Sequence, residues 1–328
     1  MGKFLESEKL AQTLFKHRSA TISEAACCEG VYKGKRRSFC LPLEHAEENL
    51  IPSIRDTAPA YFSHRHIKWH DGRNGKPSNH LCDSMVCCVN FWLPFAYNPY
   101  PLANVLRRYY PVKLMLPIED GQLVACEWIG AENYLGEKIR AKGERTRGAN
   151  FTSADAEVMF ERSDGKRQIV LIEWKYTESY STTALKFSKH GSDRTQIYRH
   201  LWECADCPID RERLPDYEDL FYEPFYQFMR QQFLAAEMEK AHELGADVVS
   251  VLHIAPAHNT DFKKITSPAL QGLGDSATAV WTELVGARER FLSLSTEALF
   301  GGLTGDDVPG MEDWLAYVRE RYGWLAEG

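Results

Sequence analysis

The chain has 328 residues, of which 44% are hydrophobic and 26% are charged. This balance is that of an ordinary globular protein and excludes disordered, collagen-like and coiled-coil chains. No run of about 18 uncharged apolar residues predicts a membrane-spanning helix, and the first residues lack the apolar core of a signal peptide. We therefore expect a cytoplasmic protein without a membrane partner. Because the formal net charge is −7, contact with a polyanion would require a local basic surface.

The nine cysteines are predicted to be free thiols. An odd number does not complete a disulfide framework, and the adjacent pairs Cys27–Cys28 and Cys87–Cys88 suit one poorly. In a reducing compartment we expect such thiols to stay reduced and partly buried.

The chain pattern predicts helices first and strands later. Residues 1–75 are expected to form an N-terminal extension of irregular helix and loop. A helix opened by Ser78 or Asn79 and ending near Pro94 follows, because apolar residues recur there at helical spacing. The next predicted elements are strands over 123–129, 154–160 and 168–176, a long helix over 220–244, and a buried strand over 248–252.

This order of helix, three strands, helix and strand predicts a mixed α/β or α+β layered domain. Asp164 and Gly165 lie between the second and third strands, which is a hairpin turn signal. We expect one core domain over residues 76–255. Residues 256–328, with helical periodicity over 279–291 and 312–322, are expected to pack on it as a helical appendage.

The most informative segment runs from Asp155 to Lys175 across the predicted hairpin. Side chains alternate faces along a strand, so Glu173 and Lys175 share one face at the end of an apolar run. Pairing through the turn would bring Asp155 to the same end. Two carboxylates there would hold a hard cation such as Mg²⁺, and a lysine ammonium would orient water or stabilise phosphorane charge. The pattern therefore favours metal-assisted phosphodiester hydrolysis.

A solvated cross-strand face is the alternative interpretation of these charges. A Glu-x-Lys string is expected about once by chance in a chain of this length and composition. The strand-turn-strand context and the position of Asp155 favour the catalytic interpretation over this one.

The arrangement of Asp155, an intervening hairpin and Glu173-x-Lys175 resembles the PD-(D/E)XK nuclease superfamily. The strings over residues 80–91 and 173–178 resemble a bacterial branch of that superfamily, and the resemblance covers roughly residues 65–255. It implies a restriction-endonuclease-like core, with a central mixed β-sheet flanked by helices and elaborated at both ends. It also implies that Asp155 and Glu173 bind Mg²⁺, for which Mn²⁺ would substitute, while Lys175 acts beside the attacking water. Ala154 stands where the family has its leading proline.

Many members of the superfamily add a further polar group to the site. Glu127 and Glu137 are both candidates for a third metal ligand, and we favour Glu137. Gln196 matches a position after the core strands at which the family often has a polar residue near the site. Glu157 shares a strand face with Asp155 and is either a ligand or a neighbour.

A basic run before Asp155 is the predicted nucleic-acid contact. A run of charges is usually a solvated face, but glycines interrupt this one just ahead of the candidate site. Such cations would neutralise backbone phosphates without reading sequence. The five residues are Lys138, Arg140, Lys142, Arg145 and Arg147. The basic run over residues 33–37 would add a second contact.

Two other groups of His and Cys residues are candidates for binding a different metal. His64, His66 and His70 lie close in sequence and would suit Zn²⁺, although no fourth ligand is evident. Cys204 and Cys207, next to His200, form a lone C-x-x-C pair without a partner pair, so zinc or iron–sulfur binding lacks support there.

We therefore predict a magnesium-dependent endodeoxyribonuclease acting in restriction, phage defence or DNA repair. DNA is the expected substrate, with RNA left open, and a homodimer would supply one site for each strand. A role in a defence system would also allow a partner protein. The alternatives are an inactive nucleic-acid-binding protein of the same fold and a zinc-dependent hydrolase.

Overall fold

A computed structural model describes residues 2–137, 145–149, 151–189, 191–287 and 289–327. In these ranges the α-helices are α1 (Lys3–Arg18), α2 (Thr57–His64), α3 (Ser84–Trp92), α4 (Pro99–Arg107), α5 (Thr195–Trp202), α6 (Phe225–Lys240), α7 (Ala277–Val285) and α8 (Glu312–Arg321). The strands are β1 (Gly30–Tyr32), β2 (Lys35–Arg37), β3 (Val112–Leu116), β4 (Val124–Trp128), β5 (Ala154–Arg162), β6 (Arg167–Trp174), β7 (Val248–Ala255) and β8 (Phe291–Ser295). None of the described helices is sufficiently long and apolar to cross a lipid bilayer.

The central sheet is mixed, with the strand order β3-β5-β6-β7-β8 and β4 also paired with β5. Strands β3, β4 and β6 run antiparallel to β5, whereas β6, β7 and β8 run parallel to one another. β4 pairs with the first half of β5 and β3 with the second half, so these two short strands lie end to end. Helices cover both faces of the sheet, which confirms the predicted α/β class.

The predicted hairpin is the joint between β5 and β6. The two strands are antiparallel, and their last pair is Glu161 with Arg167. Gly165 has a φ of 84° in the turn, a backbone conformation that glycine adopts without steric cost. The Asp164 carboxylate accepts a hydrogen bond from the Lys166 N–H over 3.1 Å, as expected for an Asp-Gly turn.

The alternation of side chains along β6 assigns each face of the sheet to its own hydrophobic core. Val170, Ile172 and Trp174 pack in the core shared with α1, α3, α4 and α8. Ile169 and Leu171 pack in the core on the other face, which is shared with α5, α6 and α7. The period of two that the sequence predicts for this strand is therefore confirmed.

Three predicted helix boundaries are wrong. The helix expected from residue 78 begins at Ser84, because the Asp83 carboxylate caps it by accepting from the Val86 N–H over 2.9 Å. The helix expected over 220–244 is α6, which begins only after Pro224. The helix expected to reach residue 291 ends at Val285, since Gly286 adopts a left-handed conformation there.

The C-terminal segment consequently contributes more than helices to the fold. Residues 291–295, which include the end of that predicted helix, form strand β8, which pairs in parallel with β7 at the edge of the central sheet. The core on one face of the sheet contains residues from 1–75, 76–255 and 256–328 alike. The division into these three segments thus stays a prediction, and their apolar side chains share one core.

Arg321, at the end of α8, joins the two ends of the chain inside that core. Its guanidinium donates to the Asn49 backbone oxygen over 2.6 Å, to the Leu81 carbonyl over 3.0 Å and to the Gln12 amide oxygen over 3.0 Å. Gln12 in turn donates to the Tyr176 hydroxyl over 3.1 Å. Tyr176 lies just beyond β6, so this network extends from both chain ends to the end of the central strand.

Arg321→Ala is expected to lower the free energy of unfolding by about 3–5 kcal/mol, because it leaves buried carbonyl and amide groups without a partner. Arg319→Ala is the matched control, since Arg319 lies on the same helix but is exposed. The measurement is chemical denaturation of the two variants and the wild type. Equal losses in the two variants would contradict the role given to Arg321.

Candidate active site

Three acidic side chains lie side by side where β4, β5 and β6 meet. The register that pairs Ala156 with Ile172 places Asp155 opposite Glu173. The register that pairs Cys126 with Ala156 likewise places Glu127 opposite Asp155. β4 and β6 both run antiparallel to β5. The ends of β4 and β6, which carry Glu127 and Glu173, therefore lie beside the start of β5, which carries Asp155.

Lys175 and Glu173 form a buried ion pair at this edge. The Lys175 Nζ lies 2.5 Å from Glu173 Oε1, and the two side chains are only 6% and 2% exposed. Although burial acts to lower it, the charge of Glu173 and other nearby acids raises the pKa of Lys175 well above its ordinary value. Lys175 is therefore an ammonium and a hydrogen-bond donor at neutral pH, not a base.

The other two carboxyl groups are buried beside that pair. The Asp155 Oδ2 accepts from the Trp174 N–H over 2.7 Å, and burial, with the charge of Glu173, raises the pKa of Asp155 well above its ordinary value. Burial also raises the pKa of Glu127 to about 7, although its Oε2 accepts from the Ser153 hydroxyl over 2.6 Å. Protonation relieves the repulsion between such neighbours, and a bound cation would relieve it as well.

The backbone of Glu127 is unusual for a strand residue. Its φ is 51°, in the left-handed region that costs a residue with a β-carbon about 1–2 kcal/mol. Strained positions of this kind concentrate at functional sites, where the surrounding structure holds them. Here the strained residue is the one whose carboxyl group faces Asp155 and the cavity.

These groups line a cavity of about 440 Å³. Five acidic side chains face it, against the cationic side chains of Lys175 and Arg230, so its lining is strongly acidic. His70 stands on the rim, with Nδ1 4.0 Å from the Asp83 carboxylate. The five acids are Glu127, Asp155, Glu173, Glu178 and Glu223.

The structure brings Asp155, Glu173 and Lys175 together, as the sequence predicts, but places Glu137 elsewhere. The Glu137 carboxylate accepts from the Thr152 hydroxyl over 2.6 Å and from the Tyr198 hydroxyl over 2.7 Å. It does not line the cavity, and its carboxylate is bonded to Thr152 and Tyr198 instead. Of the two glutamates considered for a third ligand, Glu127 is the one at the site.

Gln196 and Glu157 also lie away from the cavity. Gln196 is exposed on α5 and donates to Asp193 over 3.3 Å. Glu157 is fully buried further along β5, and neither of its carboxylate oxygens has a hydrogen-bond partner among the described residues. Burial raises the pKa of Glu157 well above the ordinary value, which favours the neutral form of this core side chain.

Gln231 on α6 is one of the cavity residues that the sequence analysis missed. Its amide donates to Glu173 Oε2 over 2.7 Å and to the Ser153 carbonyl. A signal for it exists, since Gln231 follows Phe228 by three residues and precedes Leu234 by three. A polar residue at that spacing lies on the apolar stripe of the helix and faces inward.

The predicted basic run is not a free cationic surface where the structure describes it. Lys138, Arg140 and Lys142 lie outside the described residues. Arg145 donates to the backbone carbonyls of residues 129–131. Arg147, whose side chain is 11% exposed, bonds to Glu119 and to the backbone carbonyl groups of β4. Both guanidinium groups hold the fold beside Glu127, and this differs from the phosphate contact expected of them.

The zinc interpretation finds no support in the described ranges. No three His, Cys, Asp or Glu side chains there are gathered closely enough to enclose a metal ion, and this holds for the histidines and for Glu127, Asp155 and Glu173 alike. His64 lies 3.8 Å from Asp120, whereas His70 lies beside Asp83, so these two histidines have different partners. Cys204 and Cys207 are free thiols.

Comparison with known proteins identifies the family. Neither the curated proteins nor the solved structures contain a match to this chain. The family model described as restriction endonuclease associating with ARP matches residues 9–323. That match includes the residues of the acidic cavity and every strand of the central sheet. Because it covers nearly the whole chain, this protein belongs to the family of restriction endonucleases associating with ARP.

Proposed function

We propose that this protein is a metal-dependent nuclease that hydrolyses DNA phosphodiester bonds in the cavity at the ends of β4, β5 and β6. The observation that carries the proposal is the grouping of Glu127, Asp155 and Glu173 around the buried ammonium of Lys175. The membership of this protein in a restriction-endonuclease family supports the same conclusion. Asp155, Glu173 and Lys175 are the proposed PD-(D/E)XK residues.

The carboxylates suit Mg²⁺, with Mn²⁺ as a substitute, better than they suit Zn²⁺. Hard cations take oxygen ligands, and Mg²⁺ keeps several waters while binding one or two carboxylates together with substrate phosphates. A site without a cage of three close side chains therefore fits Mg²⁺. In the structure, the Lys175 ammonium supplies the positive charge at Glu173 Oε1, and a divalent cation would compete with it there.

The chain's own groups would position the reacting atoms. A divalent cation bound by Asp155 and Glu173, with Glu127 as the proposed third ligand drawn in on binding, would supply the Lewis acidity that polarises the phosphodiester. Lys175, charged and fixed by Glu173, donates hydrogen bonds to the attacking water or to the developing phosphorane oxygen. Gln231 holds Glu173 Oε2 and so fixes the orientation of that carboxylate.

The DNA backbone is proposed to reach the cavity past the β1–β2 hairpin. Tyr32 and Lys33 on this hairpin contact Asp71, with the Lys33 Nζ 3.0 Å from the carboxylate. His70, which directly precedes Asp71, lines the cavity, so the hairpin stands at the rim of the cavity. Three exposed side chains of β2, which we call the hairpin cations, form no hydrogen bond or ion pair with a described residue: Lys35, Arg36 and Arg37.

The biological setting is proposed from the family alone. Restriction, phage defence and DNA repair all require cutting of DNA in the cytoplasm, and the family description names association with ARP. ARP is therefore the proposed partner protein. A homodimer would supply two cavities, one for each strand of a duplex.

The first test is cleavage of plasmid, single-stranded DNA and RNA with Mg²⁺, Mn²⁺ or EDTA. The wild type is expected to cut DNA with either metal and not with EDTA. Glu173→Gln and Lys175→Met should lower the rate by about 10²–10³-fold, because each removes a group that stabilises the transition state.

Glu161→Gln is the matched control for that test, since it lies at the other end of β5 and should cut like the wild type. DNA binding by all variants without any metal-dependent cutting would instead identify an inactive nucleic-acid-binding protein of this fold.

The third ligand is tested by calorimetric titration with Mn²⁺. Glu127→Gln is expected to weaken Mn²⁺ binding by at least about tenfold, because the Glu127 carboxyl lines the cavity. Glu137→Gln is expected to bind Mn²⁺ like the wild type. The reverse ranking would restore Glu137 as the ligand.

The DNA path is tested through the salt dependence of duplex binding in Ca²⁺. Removing the hairpin cations together should lower the slope of log K against log salt by about 2–3, at roughly 0.9 per phosphate contact. Lys166→Ala is the control, because Lys166 lies at the opposite end of β6. An unchanged slope in the triple variant would exclude the hairpin from the DNA path.

A further inference from the structure

Arg230 is a cavity residue to which neither the ion pair nor the carboxylate cluster gives a role. It lies on α6 next to Gln231, and both side chains line the cavity. Its Nε is buried without a hydrogen-bond partner among the described residues. Its Nη1 lies 3.4 Å from the Thr152 hydroxyl, which is at the outer limit of a hydrogen bond.

The guanidinium also packs against an aromatic ring. Its carbon lies 4.7 Å from the centre of the Tyr226 ring, one helical turn earlier on α6. A planar cation stacked on an aromatic ring loses little conformational entropy when it binds a ligand. This contact uses none of the N–H donors of the guanidinium, so it leaves them available for a ligand.

The charges around Arg230 do not pair with it. Glu223, which lines the cavity, and Glu137 both lie near enough to act on its charge, but neither forms an ion pair with it, and Glu223 Oε2 is buried without a partner among the described residues. Glu173 is held by Lys175 and Gln231. A partly buried guanidinium with open donors is costly unless an anion completes it. A phosphate, which accepts two parallel N–H donors, fits this group.

We propose that Arg230 binds the phosphate adjacent to the scissile one and so fixes the register of the nucleic-acid strand in the cavity. The inference rests on the proposed nuclease function and adds a substrate-binding residue that the PD-(D/E)XK motif does not contain. Gln231 contacts Glu173, and Arg230, the preceding residue of α6, lines the same cavity. The strand would thereby be held on both sides of the bond to be cut.

The test compares Arg230→Gln and Arg230→Lys in DNA binding and in cutting. With Ca²⁺ in place of Mg²⁺, Arg230→Gln should bind single-stranded DNA about tenfold more weakly, with a salt slope lower by roughly 0.7, the value for one phosphate contact. Arg230→Lys should keep the slope, since it keeps the charge, but should cut more slowly because it lacks the planar fork.

Arg199→Gln is the matched control. Arg199 also lies over a tyrosine ring, 5.4 Å from the centre of Tyr217, but it is on α5 and does not line the cavity. Its substitution should change neither the slope nor the rate. Thermal unfolding of each variant separates loss of binding from loss of fold.

A second measurement changes the substrate, and it requires only that the Arg230→Lys variant folds. Single neutral methylphosphonates placed along the strand should weaken wild-type binding most at one position beside the cut, and Arg230→Lys should lose part of that effect. If the wild type cuts DNA but both variants keep its slope, rate and methylphosphonate profile, Arg230 has only a packing role. If the wild type neither binds nor cuts DNA, the proposed function itself fails.

Discussion

The buried ammonium of Lys175 is the charge on which the acidic cavity depends. Glu127, Asp155 and Glu173 occupy neighbouring positions at the meeting point of three strands, where Glu127 and Glu173 are buried. Like charges so placed cannot all ionise without a counter-charge. Lys175 supplies one positive charge, but burial, together with the charge of Glu173, still raises the pKa values of Asp155 and Glu127. A further positive charge in the cavity would favour the ionised forms of these two groups.

The two ends of the chain complete the support of this cavity. Arg321 collects carbonyl groups from the N-terminal segment and reaches Tyr176 through Gln12. Tyr176 follows Lys175 directly, so the helices outside the central sheet fix the strand end from which the ammonium projects. The match of the family model to residues 9–323 fits this arrangement, because those segments belong to the same core.

The sequence was sufficient where local rules decide the structure. The Asp-Gly turn and the period of two along β6 predicted the hairpin, its register and the grouping of Asp155, Glu173 and Lys175. They favoured Glu137 over Glu127 as the third ligand, whereas Glu127 is the one that lines the cavity. Local patterns reveal neither the left-handed backbone at Glu127 nor the hydrogen bonds that hold Glu137 elsewhere. They also missed β8, a five-residue strand that depends on a long-range partner.

The Arg321 network also sets an order of assembly. A chain emerges from the ribosome with its N-terminal end first, and Asn49 is 272 residues ahead of the arginine that satisfies its carbonyl. Until that arginine is made, the buried polar groups around Tyr176 lack their partner and the wall behind Lys175 stays incomplete. Nascent chains therefore contain Glu173 and Lys175 before the part of the core that supports them has been made.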